Sequence, residues 1–169
     1  MSGILVVERS ATLSHLLSRT LQAAQYDKWS ELAGYGEAIE HLKQAARLGH
    51  PYRVLLLGAP ARPTREFNEL LGYLREVREP PLPVLLLAHE KTADVAAWID
   101  SREDSVFIPW AQFSRIPTAI RQLAPDLEHA LVRAAEAHRG GAGDDPQASG
   151  RGARDLVANL LREAVRKVG

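Results

Sequence analysis

The positions best placed for chemistry lie just after four short apolar runs of the chain. The runs cover residues 4–7, 54–57, 84–87 and 106–108. The residues at their ends are Glu8 and Arg9, Gly58, Ala88, and Ile108 with Pro109. Only a carboxylate and a guanidinium are charged in this set, and no hydroxyl, thiol or amine nucleophile is present. Such a pair can bind polar groups, but without a partner acid, base or metal ligand it does not perform a reaction.

Other polar residues of the sequence do not assemble an active site either. No two histidines stand four residues apart, and the chain has no cysteine, so neither a helical pair of metal ligands nor thiolate chemistry is predicted. Ser10 and His15 fit a helix cap and a helical residue rather than a nucleophile and its base. The arginines at 62, 65 and 75 could bind an anionic ligand, although a solvated helix face explains them better. We predict no enzyme, no metal site and no cofactor.

The composition bears on the class of partner. A chain of 169 residues that is 46% apolar can bury one core of ordinary size. Basic and acidic residues number 21 each, so no overall field attracts nucleic acid. No apolar run approaches the roughly 20 residues of a transmembrane helix, and no signal peptide precedes the first run. We predict a bacterial, cytoplasmic protein with no membrane span and no nucleic-acid partner.

Strands and helices must position the residues at the ends of the runs. Five apolar strands, including a weak one at 28–33, alternate with five helical stripes between residues 4 and 123. Polar residues do not interrupt the run at 54–57, which is typical of a strand covered on both faces. Ser10 or Thr12, Thr64 and Thr92 can cap helices. The pattern predicts an α/β fold with a doubly wound five-stranded parallel sheet, in which ligands bind at the carboxyl ends of the strands.

The pattern changes after residue 123. We predict a helical extension at 124–139, a flexible linker at 140–152 with the sequence GGAGDDPQASGRG, and an amphipathic helix at 153–169. The apolar stripe of that last helix consists of Val157, Leu160, Leu161, Ala164, Val165 and Val168. Five basic and two acidic residues give positions 151–169 a charge of +3. The helix could be a tether, a dimerisation element or the start of a truncated output domain.

Residues 3–123 resemble the receiver domain of bacterial response regulators. The segment ILVVERSATLSHLLSRTL is similar to the opening strand, acidic pair and first helix of that family. PYRVLLLGA is similar to the strand that ends at the phosphoacceptor aspartate, PVLLLAH to the strand with a Ser/Thr switch, and FIPW to the Lys-Pro-aromatic segment. The resemblance implies a flavodoxin-like sheet, with residues 1–123 as one receiver-like domain.

The resemblance also implies a pocket that has lost its reactive residues. In the family the acidic pair holds Mg²⁺, the aspartate accepts a phosphoryl group, and a hydroxyl and a lysine contact that group. Glu8 keeps one carboxylate, while Arg9 places a cation where the metal needs an anion. Gly58 has no side chain to phosphorylate, Ala88 has no hydroxyl and Ile108 has no charge. The implied domain is a degenerate receiver, or pseudo-receiver.

Two local features of this pocket follow as expectations. The Arg9 guanidinium either lies in the former metal site and pairs with Glu8, or is exposed at the rim of the pocket. Exposed ion pairs contribute only about 0–1 kcal/mol, which leaves both arrangements open. The family holds the peptide bond before its conserved proline in the cis form, so the resemblance predicts a cis Ile108–Pro109 bond.

Contact surfaces are expected on the fourth helix, the fifth strand and the fifth helix, the side that receiver domains commonly use, and on the predicted C-terminal helix at 153–169. The candidate residues are Trp98, Trp110, Phe113, Val157, Leu161 and Val165. Exposed tryptophans are frequent anchors of interfaces. Trp110 could instead fill an aromatic position of the core.

The predicted function is that of a phosphorylation-independent signalling adaptor or regulatory domain in two-component signalling, which acts by protein–protein interaction. Its partner would be another signalling protein or an output domain in the same polypeptide, and a homodimer is a further alternative. The second hypothesis is a sensor that binds a small anionic ligand or a nucleotide in the vacated pocket, with Arg9 nearby.

Overall fold

The computed structural model describes residues 3–77 and 79–127. Its strands are β1 (Ile4–Val7), β2 (Ser30–Leu32), β3 (Val54–Gly58), β4 (Val84–Ala88) and β5 (Ser105–Pro109). Its helices are α1 (Ala11–Ala23), α2 (Tyr35–Arg47), α3 (Arg65–Glu76), α4 (Ala93–Asp100) and α5 (Ile116–Leu123), with a 3₁₀ helix at Trp110–Arg115. The predicted linker at 140–152 and the predicted helix at 153–169 lie outside the described residues.

All five strands belong to one parallel sheet with the order β2-β1-β3-β4-β5. This confirms the predicted doubly wound five-stranded sheet, and the order is the flavodoxin-like one. Helices cover both faces, so that every residue of β1, β3 and β4 is buried. Burial on both faces is the physical reason why these runs contain no polar residue.

Hydroxyl side chains begin three of the helices. The hydroxyl of Ser10 accepts a hydrogen bond from the backbone N–H three residues later at the start of α1. Thr64 does the same for α3 and Thr92 for α4. Each cap satisfies a backbone donor that the first turn of a helix leaves without a partner. The predicted caps Thr64 and Thr92 are therefore confirmed, and of the two candidates for α1 the structure has Ser10, with Thr12 inside the helix.

Two apolar clusters flank the sheet. On one face α1 and α5 pack through residues such as Leu17 and Ile120. On the other face α2, α3 and α4 pack through residues such as Leu70. Successive residues of a strand pack in opposite clusters, as Leu56 and Leu57 do, because side chains alternate between the two faces of a sheet.

The two tryptophans expected at a contact surface lie in these clusters instead. Trp98 is 2% exposed, and its Nε1–H donates to the carbonyl of Leu71 at 3.2 Å. Trp110 is 5% exposed and packs in the α1–α5 cluster. Trp110 therefore has the core position that was the alternative for it, and the expectation of an exposed anchor is corrected for Trp98, because the core covers its ring. Phe113 is half-buried against the same cluster and stays a candidate contact residue.

The backbone at Pro109 differs from the expectation based on the family. Within residues 3–77 and 79–127 the cis peptide bond is Glu79–Pro80, so the predicted cis Ile108–Pro109 bond is wrong. Pro109 continues β5 with extended angles, φ −66° and ψ 146°, and pairs with Ala88. The trans form is the one that an X–Pro peptide bond prefers in the absence of other constraints.

The chain leaves α5 at the amino edge of the sheet. Residues 124–127 form a turn, in which the backbone N–H of Leu127 donates to the carbonyl of Ala124. Asp126 forms an ion pair with Arg53, and Leu127 approaches Gly3. The rest of the predicted extension, at 128–139, lies outside the described residues. No helix in the described ranges is long and apolar enough to cross a bilayer.

Candidate functional site

The carboxyl edge of the sheet brings together residues that are far apart in the sequence. Glu8 follows β1 directly, Gly58 ends β3 and Ala88 ends β4, and these three strands are neighbours. Pro109 lies opposite Ala88 at the end of β5. Ile108 is 0% exposed and packs in the α1–α5 cluster, so it contributes no group to this edge.

The Glu8 carboxylate occupies the space above Gly58. A Cβ atom built on Gly58 would overlap Oε2 of Glu8 and would lie 2.6 Å from its Cδ. Glu8 is 8% exposed, and its Oε1 accepts a hydrogen bond from the backbone N–H of Ser10 at 2.9 Å. Its Oε2 has less than 1 Å² of exposed surface and no hydrogen-bond partner among the described residues. The pocket expected to be vacant is therefore filled by a buried carboxylate from the neighbouring strand.

Tyr35 is a third member of this site. The Tyr35 hydroxyl donates to the carbonyl of Gly58 at 2.7 Å, and its ring packs edge-on against Phe67 at 5.2 Å between centroids. Burial, together with the negative charge of Glu8, raises the pKa of Tyr35 to about 12. The sequence analysis missed this residue. Its position in the sequence could have indicated the role. Tyr35 begins α2 just after β2, and the residues that follow a parallel strand lie at the carboxyl edge of the sheet.

The surroundings of Glu8 shift the pKa of its carboxyl. Burial raises the pKa of the Glu8 carboxyl above its ordinary value, and this outweighs the backbone hydrogen bonds from Ser10 and Arg9 and the charges of His89 and Arg9, which lower it. Arg9 is exposed, and within the described ranges no ion pair joins it to Glu8. The hypothesis of a Glu8–Arg9 pair in the former metal site is corrected. The structure has the other arrangement, with Arg9 at the rim.

Replacement of Glu8 by glutamine tests the cost of this buried charge. We expect Glu8→Gln to raise the free energy of unfolding at about pH 7, because the amide is neutral and its oxygen can still accept the Ser10 N–H. The folded pKa of Glu8 is raised, so the carboxyl contributes stability below its unfolded pKa and loses it as the pH rises through the folded pKa. The gain in the variant should therefore shrink on acidification. Urea unfolding over a pH series measures it, and an undiminished gain at low pH contradicts the assignment.

The chemistry available at this edge is limited. The one Glu8 oxygen without a partner is shielded from solvent, and Ala88 offers no hydroxyl beside it. In the two described ranges, no group of three or more histidine, aspartate or glutamate side chains could hold a metal ion. The Glu8 carboxylate and the Tyr35 hydroxyl therefore hold β1, β3 and α2 together at this edge. The predicted contact residues Val157, Leu161 and Val165 lie outside the described residues.

Among the comparisons with known proteins, only the one with solved structures found similar proteins, and these support the fold. No family model matches the sequence, and no curated protein matches it. A two-component response regulator from Cytophaga hutchinsonii is 12% identical, with 71% of this chain and 94% of that chain covered at a TM-score of 0.58. A bacteriophytochrome response regulator is 21% identical, with 75% and 94% covered at a TM-score of 0.58.

A third structural neighbour is described by a different role, in pilus assembly. A protein from Burkholderia pseudomallei described as pilus assembly-related is 15% identical, with 76% of this chain and 96% of that chain covered at a TM-score of 0.57. Identities at this level show a shared architecture, whereas function resides in the residues placed on it. The described part of this chain has the receiver-like, flavodoxin-like fold of response regulators.

Proposed function

We propose that this protein is a receiver-like signalling domain that works without phosphorylation and transmits information by contact with another protein. The observation that carries the proposal is the position of the Glu8 carboxylate in the space above Gly58. A phosphoacceptor needs an accessible side chain at the end of β3. Here the glycine has none, and the neighbouring carboxylate leaves no room for one.

The rest of the edge supports the same conclusion. Phosphoryl transfer depends on cations and hydrogen-bond donors arranged around the transferred group. Ala88 and Ile108 supply neither, and Arg9 is exposed at the rim. What remains is a buried parallel sheet with helices packed on both faces, whose outer surfaces are available to a partner. The proposed partner is another signalling protein or an output domain of the same polypeptide, in the cytoplasm of a bacterium.

The sensor hypothesis receives less support from the site. An anionic ligand would enter a space that already holds the Glu8 carboxylate, and the two negative groups would repel each other. Arg9 lies outside this space, so its charge does not offset the repulsion. No observation favours the sensor over the contact-based function.

Incubation with acetyl phosphate and Mg²⁺ tests the proposal. We expect intact-mass spectrometry to show an unchanged mass for this protein, because Gly58 has no side chain and the Glu8 carboxylate is buried. A receiver domain with its acceptor aspartate, treated in the same tube, provides the positive control and should gain one phosphoryl group. A stoichiometric adduct on this protein that peptide mapping assigns to Glu8, or to His89 or Glu90 directly after β4, would overturn the proposal.

A further inference from the structure

The helices on one side of the sheet belong to stretches of the chain without acidic residues. Residues 9–26 and 105–125 contain no aspartate or glutamate, although the chain has 21 acidic residues in 169. These two stretches supply α1, β5, the 3₁₀ helix and α5. The three helices pack around one apolar cluster, with α1 beside α5. We call their outer surface, together with Arg9, the α1–α5 face.

The charged residues of the α1–α5 face are arginines. Arg9 precedes α1, Arg19 lies on α1, Arg115 ends the 3₁₀ helix and Arg121 lies on α5, and all four are exposed. The last two are six residues apart, which is about 9 Å along a helix. Because the Debye length at physiological salt is about 8 Å, charges at such a spacing act on a partner together.

Within residues 3–77 and 79–127, none of these arginines has a carboxylate partner. Three of the four donate instead to a neutral side chain three or four residues earlier, at 2.6–3.3 Å, and the acceptors are His15, Gln112 and Thr118. A guanidinium has five N–H donors, so each arginine keeps donors for a further acceptor. The positive charge of the face is therefore not offset within the face.

The acidic residues nearest to the α1–α5 face lie at its margins. Glu31 on β2 accepts hydrogen bonds from a serine hydroxyl of α1 and from the N–H of a tryptophan. The Glu8 carboxylate at the carboxyl edge is buried. The others stand at the amino edge of the sheet, and they are Asp27 next to Lys28, Glu103, Asp104 paired with Arg102, and Asp126 paired with Arg53. The middle of the face therefore keeps its positive charge.

The helices on the opposite side of the sheet differ in charge. The acidic residues of α2, α3 and α4 are Glu37, Glu40, Glu66, Glu69, Glu76, Asp94 and Asp100. The basic residues of the same helices are Lys43, Arg47, Arg65 and Arg75. The two sides of the sheet thus carry opposite net charges, although the formal charge of the whole chain is zero.

Apolar side chains belong to the same face as the arginines. Leu13 and Leu16 of α1 and Phe113 of the 3₁₀ helix are half-buried against the core, so part of each side chain is open to solvent. Phe113 is also a contact residue expected from the sequence. Aromatic residues and arginines predominate among the residues that contribute most to binding at protein interfaces. The composition of this face is therefore that of a protein-binding surface.

We propose that the α1–α5 face binds a carboxylate-rich, amphipathic segment of another protein. Its Asp and Glu side chains would pair with the four arginines, and its apolar residues would cover Leu13, Leu16 and Phe113. Protein is favoured over nucleic acid because a phosphate backbone does not bury apolar side chains, and the acidic helices across the sheet repel an extended polyanion. The inference rests on the proposed contact with another protein and adds the chemistry of that partner.

Titration of a synthetic peptide into the isotope-labelled full chain tests the proposal. The probe carries leucines on one helical face and glutamates on the other, and its control peptide has glutamine in place of glutamate. We expect amide shifts at Arg19, Phe113 and Arg121 and none at Gly72 on α3. The control should bind at least about tenfold more weakly. Absence of binding at low salt, or shifts centred on α2, α3 or α4, overturns the proposal.

Charge reversal supplies matched variants of the protein. Arg19→Glu with Arg121→Glu should weaken binding of the glutamate peptide at least about tenfold, because attraction becomes repulsion. Arg62→Glu with Arg75→Glu changes the net charge equally, at exposed arginines outside the face. This second variant should keep the dissociation constant within about twofold, since salt screens charges more than a Debye length away. Equal weakening in both variants would contradict binding at the α1–α5 face.

Two further measurements identify the class of the occupant. A single-stranded RNA of equal charge should bind more weakly than the peptide, and tighter binding at the same amides would assign the face to a nucleic acid. Dilution of the free protein should leave its amide signals in place, and shifts that follow the concentration would assign the face to the acidic helices of a second copy. Either result overturns the proposed partner. The acetyl phosphate test detects covalent modification instead, so a phosphoryl adduct and a failure to bind the peptide are distinguishable results.

Discussion

Replacement of Gly58 by aspartate is expected to lower the free energy of unfolding by about 3 kcal/mol or more, and not to create a phosphorylatable protein. The new Cβ would lie 2.6 Å from Cδ of Glu8, in a region where both residues are buried. Overpacking of this kind costs about 1–3 kcal/mol. A second carboxylate beside a buried one adds desolvation and like-charge repulsion. Denaturant unfolding measures the loss.

Gly72→Asp is the matched control for this substitution. A Cβ on Gly72 meets no atom within 4 Å, and the residue is exposed on α3. Its stability should stay within about 0.5 kcal/mol of the wild type. An equal loss in both variants would show that aspartate itself, and not the collision with Glu8, destabilises the fold.

Removal of the Glu8 carboxylate should restore much of the stability lost in Gly58→Asp. In the double variant Glu8→Ala/Gly58→Asp, the new side chain enters the space that Glu8 occupied. We expect a favourable coupling free energy of at least about 1 kcal/mol, since residues in contact do not contribute additively. Additive effects of the two substitutions would mean that the side chains do not compete for one space.

Arg102→Ala is expected to lower the free energy of unfolding by about 2–4 kcal/mol, far from the carboxyl edge. The guanidinium donates to the carbonyls of Leu74 and Leu82, and its side chain is only 11% exposed. These carbonyls belong to the end of α3 and to the segment before β4. Alanine leaves both acceptors without that partner, and an acceptor left unsatisfied inside the fold is costly.

The planar geometry of the Arg102 guanidinium is expected to contribute as much to the free energy of unfolding as its charge does. Arg102 Nε–H donates to the Ser105 hydroxyl at 2.8 Å, a terminal nitrogen lies 3.1 Å from an Asp104 oxygen, and the guanidinium stacks 5.0 Å from the Trp98 ring centroid. A lysine ammonium cannot contact all of these groups at the same time. Arg102→Lys should therefore recover less than half of the loss. Full recovery in thermal or urea unfolding would show that charge alone suffices.

Arg65→Ala provides the comparison with an exposed arginine. Its side chain is 88% exposed and pairs with Glu69 one turn away on α3. Exposed pairs of this type contribute about 0.3–0.5 kcal/mol, so this variant should unfold almost as the wild type does. A loss as large as that of Arg102→Ala would refute the link between burial of the guanidinium and stability.

The strand residues could be identified from the sequence because their burial leaves a local pattern. A parallel strand with helices on both sides admits no polar side chain, and 54–57 and 84–87 show this directly. Helix starts were equally local, because Ser10, Thr64 and Thr92 cap donors only three residues away. No local sequence pattern indicated that Trp98 and Trp110 are buried, since an aromatic residue on a helix fits a surface or a core equally well.

By itself, the sequence determined the parallel sheet, the order of its elements and the absence of a side chain at position 58, because these depend on residue type and short-range spacing. Only the tertiary structure decided that Glu8 fills the space above Gly58, that Tyr35 bonds to the glycine carbonyl and that Arg9 stays at the rim. The physical reason is that the shape of a site depends on which side chains from separate strands compete for the same volume. That competition arises only when the sheet sets β1 beside β3.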